Sequence, residues 1–178
     1  GQGIKIRHDY YYANRLLKTC YVEPMGSDVI SAIVSQVIEG SILPSLKEKR
    51  ETEIGAWLLY CQLNGNKKIS VITFESWFTQ QLRGLGVTSL DDMEMFSEDD
   101  FIYDGIPEWE LNDFLSTYPQ IIVLPDITVS VEYFPSSKRI VLTYIKGDRK
   151  NDLKRWELPT WSGWRIQYKK ASRKVDIR

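Results

Sequence analysis

The period of apolar and polar positions changes along the chain, and each change marks an element. In residues 4–24, "IKIRHDYYYANRLLKTCYVEP", the side chains Ile4, Ile6, His8 and Tyr10 alternate with Lys5, Arg7 and Asp9. A period of two, with Ala13-Asn14 near the middle, predicts two strands of a hairpin. Pro24-Met25-Gly26 breaks the pattern. From Ser27, a candidate N-cap, Ile30, Ile33, Val34 and Val37 recur at helical spacing as far as Gly40. "SLKE" (45–48) has capping-box spacing and leads into a helix carrying Leu46, Ile54, Trp57, Leu58 and Cys61. "NGNKK" (64–68) reads as a turn. "TFESWFTQQLRG" predicts a helix with Trp77, Phe78 and Leu82 inward and Gly84 past its end. "SLDD" (89–92) and "SEDD" (97–100) each place an acid three residues after a serine, the spacing of capped short turns. "IPEWELNDFLSTYP" predicts a helix with Pro107 in its first turn, a stop at Pro119, and Trp109, Phe114, Leu115 and Tyr118 on its buried side.

After Pro119 the period returns to two. "IIVLP" is followed by "ITVSVEYF", where Ile127, Val129, Val131 and Tyr133 alternate with Thr128, Ser130, Glu132 and Phe134. "PSSK" turns and "RIVLTYI" runs back, as in a hairpin or meander. The charged stretch 146–159 is a connection. The fold expected is α+β: a hairpin at 4–24, a helical segment at 27–118, and an antiparallel meander with a basic aromatic tail at 121–178, packed as one compact unit. One form such a sheet takes is an OB-like or small barrel.

Composition narrows the function classes. At 178 residues with 43% apolar side chains, the chain is long enough to bury a core without staples. No apolar run approaches the ~20 residues of a membrane helix. No basic-then-apolar segment opens the chain, so a signal peptide is not expected. The opening "GQG" lacks Met and reads as a cut end, so the chain is expected to be a fragment. Cys20 and Cys61 have no metal-binding or redox spacing and read as reduced thiols of a cytoplasmic protein. The single His8 leaves zinc too few ligands.

The net charge of −1 hides an asymmetry. Residues 135–178 hold thirteen Lys/Arg against four Asp/Glu, and residues 1–134 hold ten against twenty. Between Gly84 and Ser137 there are twelve acids and no Lys or Arg. Such a split predicts an acidic face and a basic face, or a tail that meets a polyanion.

Catalytic motifs are absent: the sequence holds no GxxxxGK[ST], GxGxxG, GxSxG or HExxH. The acidic cluster Asp91, Asp92, Glu94, Glu98, Asp99 and Asp100 is better read as two N-caps and a solvated face than as a two-metal site, because no base is placed beside it. Cys61 lies on an apolar helical face and reads as a core thiol. His8 reads as a strand residue, structural or exposed. The tail "WSGWRIQYKKASRK" is the strongest candidate site. Trp161, Trp164 and Tyr168 are interleaved with Arg165, Lys169, Lys170, Arg173 and Lys174. Stacking on bases and neutralising phosphates needs these residue types. The alternative is a terminal segment whose rings anchor on the sheet.

One ordered set of features is similar to a known family. "ESWFTQQLRGLGVTSLDDMEMF", then "IPEWELNDFLSTYPQ", then "IIVLPDITVSVEYF" resembles the C-terminal region of HrpB-type DEAH-box ATP-dependent helicases. Trp77, Gly84, Ser89, Leu90, Trp109, Leu115, Pro119, Pro125, Val131, Glu132 and Tyr133 carry the resemblance, which covers most of residues 4–146 and weakens after Tyr133. Residues 4–22 resemble a strand pair of that family's OB-like module. The resemblance implies an accessory region that contacts RNA or single-stranded nucleic acid and packs on the helicase motor core. ATP and magnesium would belong to that motor core, and this chain would have no catalytic site of its own. A stand-alone nucleic-acid-binding domain and a protein-interaction module using the acidic face are the competing readings.

Overall fold

The computed structural model describes residues 5–22, 26–66 and 69–178. Ile4, the break at Pro24-Met25 and Lys67-Lys68 of the expected turn lie outside them. The chain divides into two compact units, Gly1–Glu51 with Ile72–Tyr103, and Thr52–Val71 with Asp104–Arg178. Among the described residues the fold is α+β, as expected, with four α-helices, one two-stranded and one five-stranded sheet.

In the first unit, β1 (Ile6–Tyr12) and β2 (Arg15–Val22) form the expected hairpin. Ala13 and Asn14 both take positive φ, 46° and 63°, the backbone twist a two-residue turn needs. Helix α1 (Ser27–Ile38) buries Val29, Ile33, Val34 and Val37. Ser27 is its first helical residue, and the cap position falls to Gly26. The helix ends in a Schellman turn: Gly40 N–H bonds to Val37 O and Ser41 N–H to Gln36 O, with Gly40 left-handed. Helix α3 (Phe74–Gly84) lies against α1, capped by the Thr73 hydroxyl, which accepts from Ser76 N–H. Trp77, Phe78 and Leu82 face inward as expected.

Its terminus differs from expectation by two residues. Gly84 is still helical, and Gly86 is the left-handed residue of a second Schellman turn. Gly86 N–H bonds to Arg83 O and Val87 N–H to Leu82 O, and the buried Val87 and Leu82 supply the apolar contact typical of that turn. Phe78 stacks on Phe74 at 5.4 Å and meets Phe101 edge-on at 5.0 Å. Arg50, in the first part of α2 (Leu46–Leu63), donates to the carbonyls of Phe101 and Glu98.

In the second unit, α2 continues with Ala56, Leu59 and Cys61 buried, while Ile54, Trp57 and Leu58 are half-buried. Gly55 faces Gln120, whose side chain donates to Thr52 O. A Cβ at Gly55 would meet that amide at 3.0 Å. Helix α4 (Glu108–Thr117) begins one residue after Pro107 and stops before Pro119. Phe114, Leu115 and Tyr118 lie on the expected side, but Trp109 is 79% exposed. Leu111, Phe114, Leu115 and Tyr118 form a single stripe of half-buried side chains. At 100° per residue Trp109 falls roughly 160° from the centre of that stripe.

The larger sheet has the order β3 (Ile121–Leu124), β4 (Ile127–Phe134), β5 (Arg139–Gly147), β6 (Arg165–Lys170), β7 (Arg173–Ile177). It is open, with β3 and β7 at its edges, rather than a closed barrel. The expected meander is broken once, because β6 pairs with β5 in parallel. A parallel neighbour requires a crossover, and residues 148–164 supply it. Leu153, Leu158 and Trp161 of this crossover are buried in the core with Ile127, Val129, Ile140, Leu142, Ile166 and Tyr168.

The crossover departs at Gly147, whose φ of 128° only glycine readily adopts and whose Cβ would lie 2.3 Å from Asp126 O. Arg149 then clamps it. Its guanidinium forks onto Asp126 at 2.8 and 2.9 Å and onto Glu157 at 2.7 and 2.6 Å. These bonds hold both carboxyls below the usual carboxylate range. No described helix is long and apolar enough to cross a membrane.

Candidate nucleic-acid interface

The tail residues singled out by sequence lie in the end of the crossover and in the β6–β7 hairpin. Their near-helical spacing of three and four is not helical in the structure. In β6 the period is two: Ile166 and Tyr168 belong to the core cluster, and Arg165, Gln167 and Lys169 alternate with them. The turn places Ala171 at φ 52°, a position glycine usually fills.

The three rings are anchors to different degrees. Trp161 is 2% exposed, and its indole N–H donates to Thr117 O at 2.8 Å. Tyr168 is 5% exposed, and burial pushes its hydroxyl pKa up. Neither presents a face to a base, so the stacking expected of them is corrected to core packing. Trp164 is half-buried among edge-on rings, Tyr133 at 6.1 Å and Tyr118 at 6.4 Å, with Lys138 Nζ 5.1 Å from its centroid. Tyr133 meets Trp161 edge-on at 5.9 Å, donates its hydroxyl to Pro119 O, and is held neutral by burial. Rings packed this way complete a box between sheet and crossover.

The basic side chains, by contrast, are exposed. Register pairs Lys169 with Lys174 and Lys170 with Arg173, so four cations sit on two adjacent cross-strand pairs at the sheet edge, one pair on each face. Arg173 bonds to Asp152 at 3.0 Å, and Lys170 Nζ lies 4.6 Å from the Tyr144 ring centre. Arg165 bonds to Asp176, which also accepts from Gln167; these contacts lower the Asp176 pKa, Arg165 contributing most. Lys169 and Lys174 have no partner among the described residues. Like charges directly opposite each other repel, and an anion placed over them relieves the cost. A phosphate chain supplies such anions at regular intervals.

No family model, curated protein or solved structure matches the chain. The site must therefore be read from its own chemistry.

Three acids of the cluster, Asp92, Glu98 and Asp100, are occupied with structure. Asp92 accepts from Thr88 and Ser89 N–H, and those bonds lower its pKa. Asp100 accepts from Ser97 N–H at 2.7 Å, completing the capping box that its spacing predicts. Glu98 holds Lys49 at 2.9 Å and accepts from Ser45 N–H, tying the start of α2 to a turn 53 residues later. No group of three or more His, Cys, Asp or Glu side chains among the described residues is arranged to hold a metal. The buried Cys61 thiol has its pKa pushed up by desolvation, which disfavours a nucleophilic thiolate. His8 is exposed on β1.

Sequence reasoning treated the β1–β2 hairpin as structural and passed over its tyrosines. A signal was present. Three consecutive tyrosines in a strand send rings to both faces, and one two-stranded ribbon cannot bury both.

Proposed function

We propose that this chain is a noncatalytic accessory region of a HrpB-type DEAH-box RNA helicase. In this reading its β6–β7 ribbon holds single-stranded RNA by charge, and the chain packs on the motor core of the same polypeptide. The observation that carries the RNA contact is the pair of like-charged cross-strand neighbours, Lys169 with Lys174 and Lys170 with Arg173. The order and spacing of residues 77–133 support the helicase assignment, and the missing phosphate loop supports an accessory role. ATP and magnesium belong, in this reading, to the motor core.

The contact is sequence-tolerant, because ammonium and guanidinium groups meet phosphates and carry no base information. Fluorescence anisotropy with a labelled single-stranded RNA tests it. The combined variant Lys169→Ala, Lys170→Ala, Arg173→Ala, Lys174→Ala should keep its circular dichroism spectrum and bind at least about tenfold more weakly at low salt. Unchanged affinity would refute the ribbon as the contact.

A further inference from the structure

We infer that the β1–β2 hairpin is a second single-stranded nucleic-acid surface, and that it supplies the base stacking the buried tail rings do not. It goes beyond the charge contact proposed for β6–β7 and rests on other residues. Tyr10, Tyr11, Tyr12 and Tyr21 are 55%, 62%, 75% and 63% exposed. None has a hydrogen-bond, ion-pair or ring partner through its side chain among the described residues. A lone two-stranded hairpin with wet faces is marginally stable, so so many open rings call for a cover.

The strand register indicates which cover. Arg7 stands opposite Tyr21, Lys18 opposite Tyr10, and Arg15 opposite Tyr12. Every cation of the two strands therefore faces a tyrosine. The Tyr10–Lys18 and Tyr12–Arg15 pairs share one face, about 7 Å apart, and the Arg7–Tyr21 pair lies on the other. The single carboxylate of the hairpin, Asp9, is already held by Arg7 at 2.9 Å and Thr19 at 2.6 Å. The surplus charge is thus positive in a part of the chain that is acidic overall. Alternating π-faces and cations on an exposed ribbon match alternating bases and phosphates. A folded acidic protein would offer the charge, but no stack of flat rings.

Nitration by tetranitromethane tests this on the unaltered chain, read by mass spectrometry residue by residue. Saturating oligouridylate should protect Tyr10 and Tyr12, and poly-glutamate of equal charge should not. Tyr10→Ala or Tyr12→Ala should weaken oligouridylate binding about fivefold or more, and each Tyr→Phe should restore it, since stacking needs only the ring. If oligouridylate binds and leaves these tyrosines fully reactive, the hairpin is not the surface, and the β6–β7 contact stands unaffected. Equal protection by poly-glutamate also overturns the stacking claim. The reverse pattern, tyrosines protected while the four-alanine β6–β7 variant binds normally, supports the hairpin and removes the ribbon.

Discussion

Trp161 shows how one residue decides between two functions that use the same side-chain type. A tryptophan beside lysines serves a base or a core equally well in sequence. What separates the two is a carbonyl 44 residues away, Thr117 O, which accepts the indole N–H. Trp161→Phe keeps most of the apolar burial but leaves that acceptor unpaired. It should cost about 1–3 kcal/mol of stability, measured by urea unfolding. RNA affinity per folded molecule should stay unchanged. A loss of affinity without a loss of stability would return this ring to the binding surface. Caps were the more legible residues, because their partners are local. Ser97 and Asp100 bond within three residues, so spacing alone reveals them. Glu98 bonding to Ser45 N–H was not legible, because nothing in sequence ties positions 53 apart.

At the scale of elements, strongly periodic segments read correctly, and the crossover with β6, whose signals are mixed, did not. The runs 27–38 and 74–84 carry one apolar stripe each and fold as helices; β4 alternates and folds as a strand. β6 was hidden because Trp161, Trp164 and Tyr168 mimic helical spacing, although only the last lies in the strand. Trp109 was misplaced because size suggested burial where phase excluded it. The parallel pairing of β6 depends on the crossover, and the crossover depends on Arg149. Its two carboxylate partners have folded pKa values below their ordinary values near 3.8 and 4.5. Groups depressed in this way add stability above those ordinary values and lose it as pH falls through the folded ones. The wild type should therefore lose thermal stability below about pH 4.5 more steeply than Arg149→Met, in which the carboxyls no longer have that partner. Parallel pH profiles of melting temperature in the two proteins would contradict the clamp.

Across the whole molecule, the charge split seen in sequence becomes a division of labour. Asp92 and Asp100 cap turns and Glu98 holds Lys49, while the surplus cations of the last strands remain on the surface. The central claim is that those cations bind a polyanion by charge alone. The most direct test is the salt dependence of RNA affinity for the wild type and the four-alanine β6–β7 variant, compared on one logarithmic plot. Four phosphate contacts on a single strand correspond to a slope difference of about 2.8. The advantage of the wild type over the variant should thus shrink about 50-fold between 50 and 200 mM salt. Two parallel lines would contradict the account, because they would mean that these four side chains displace no counterions from RNA.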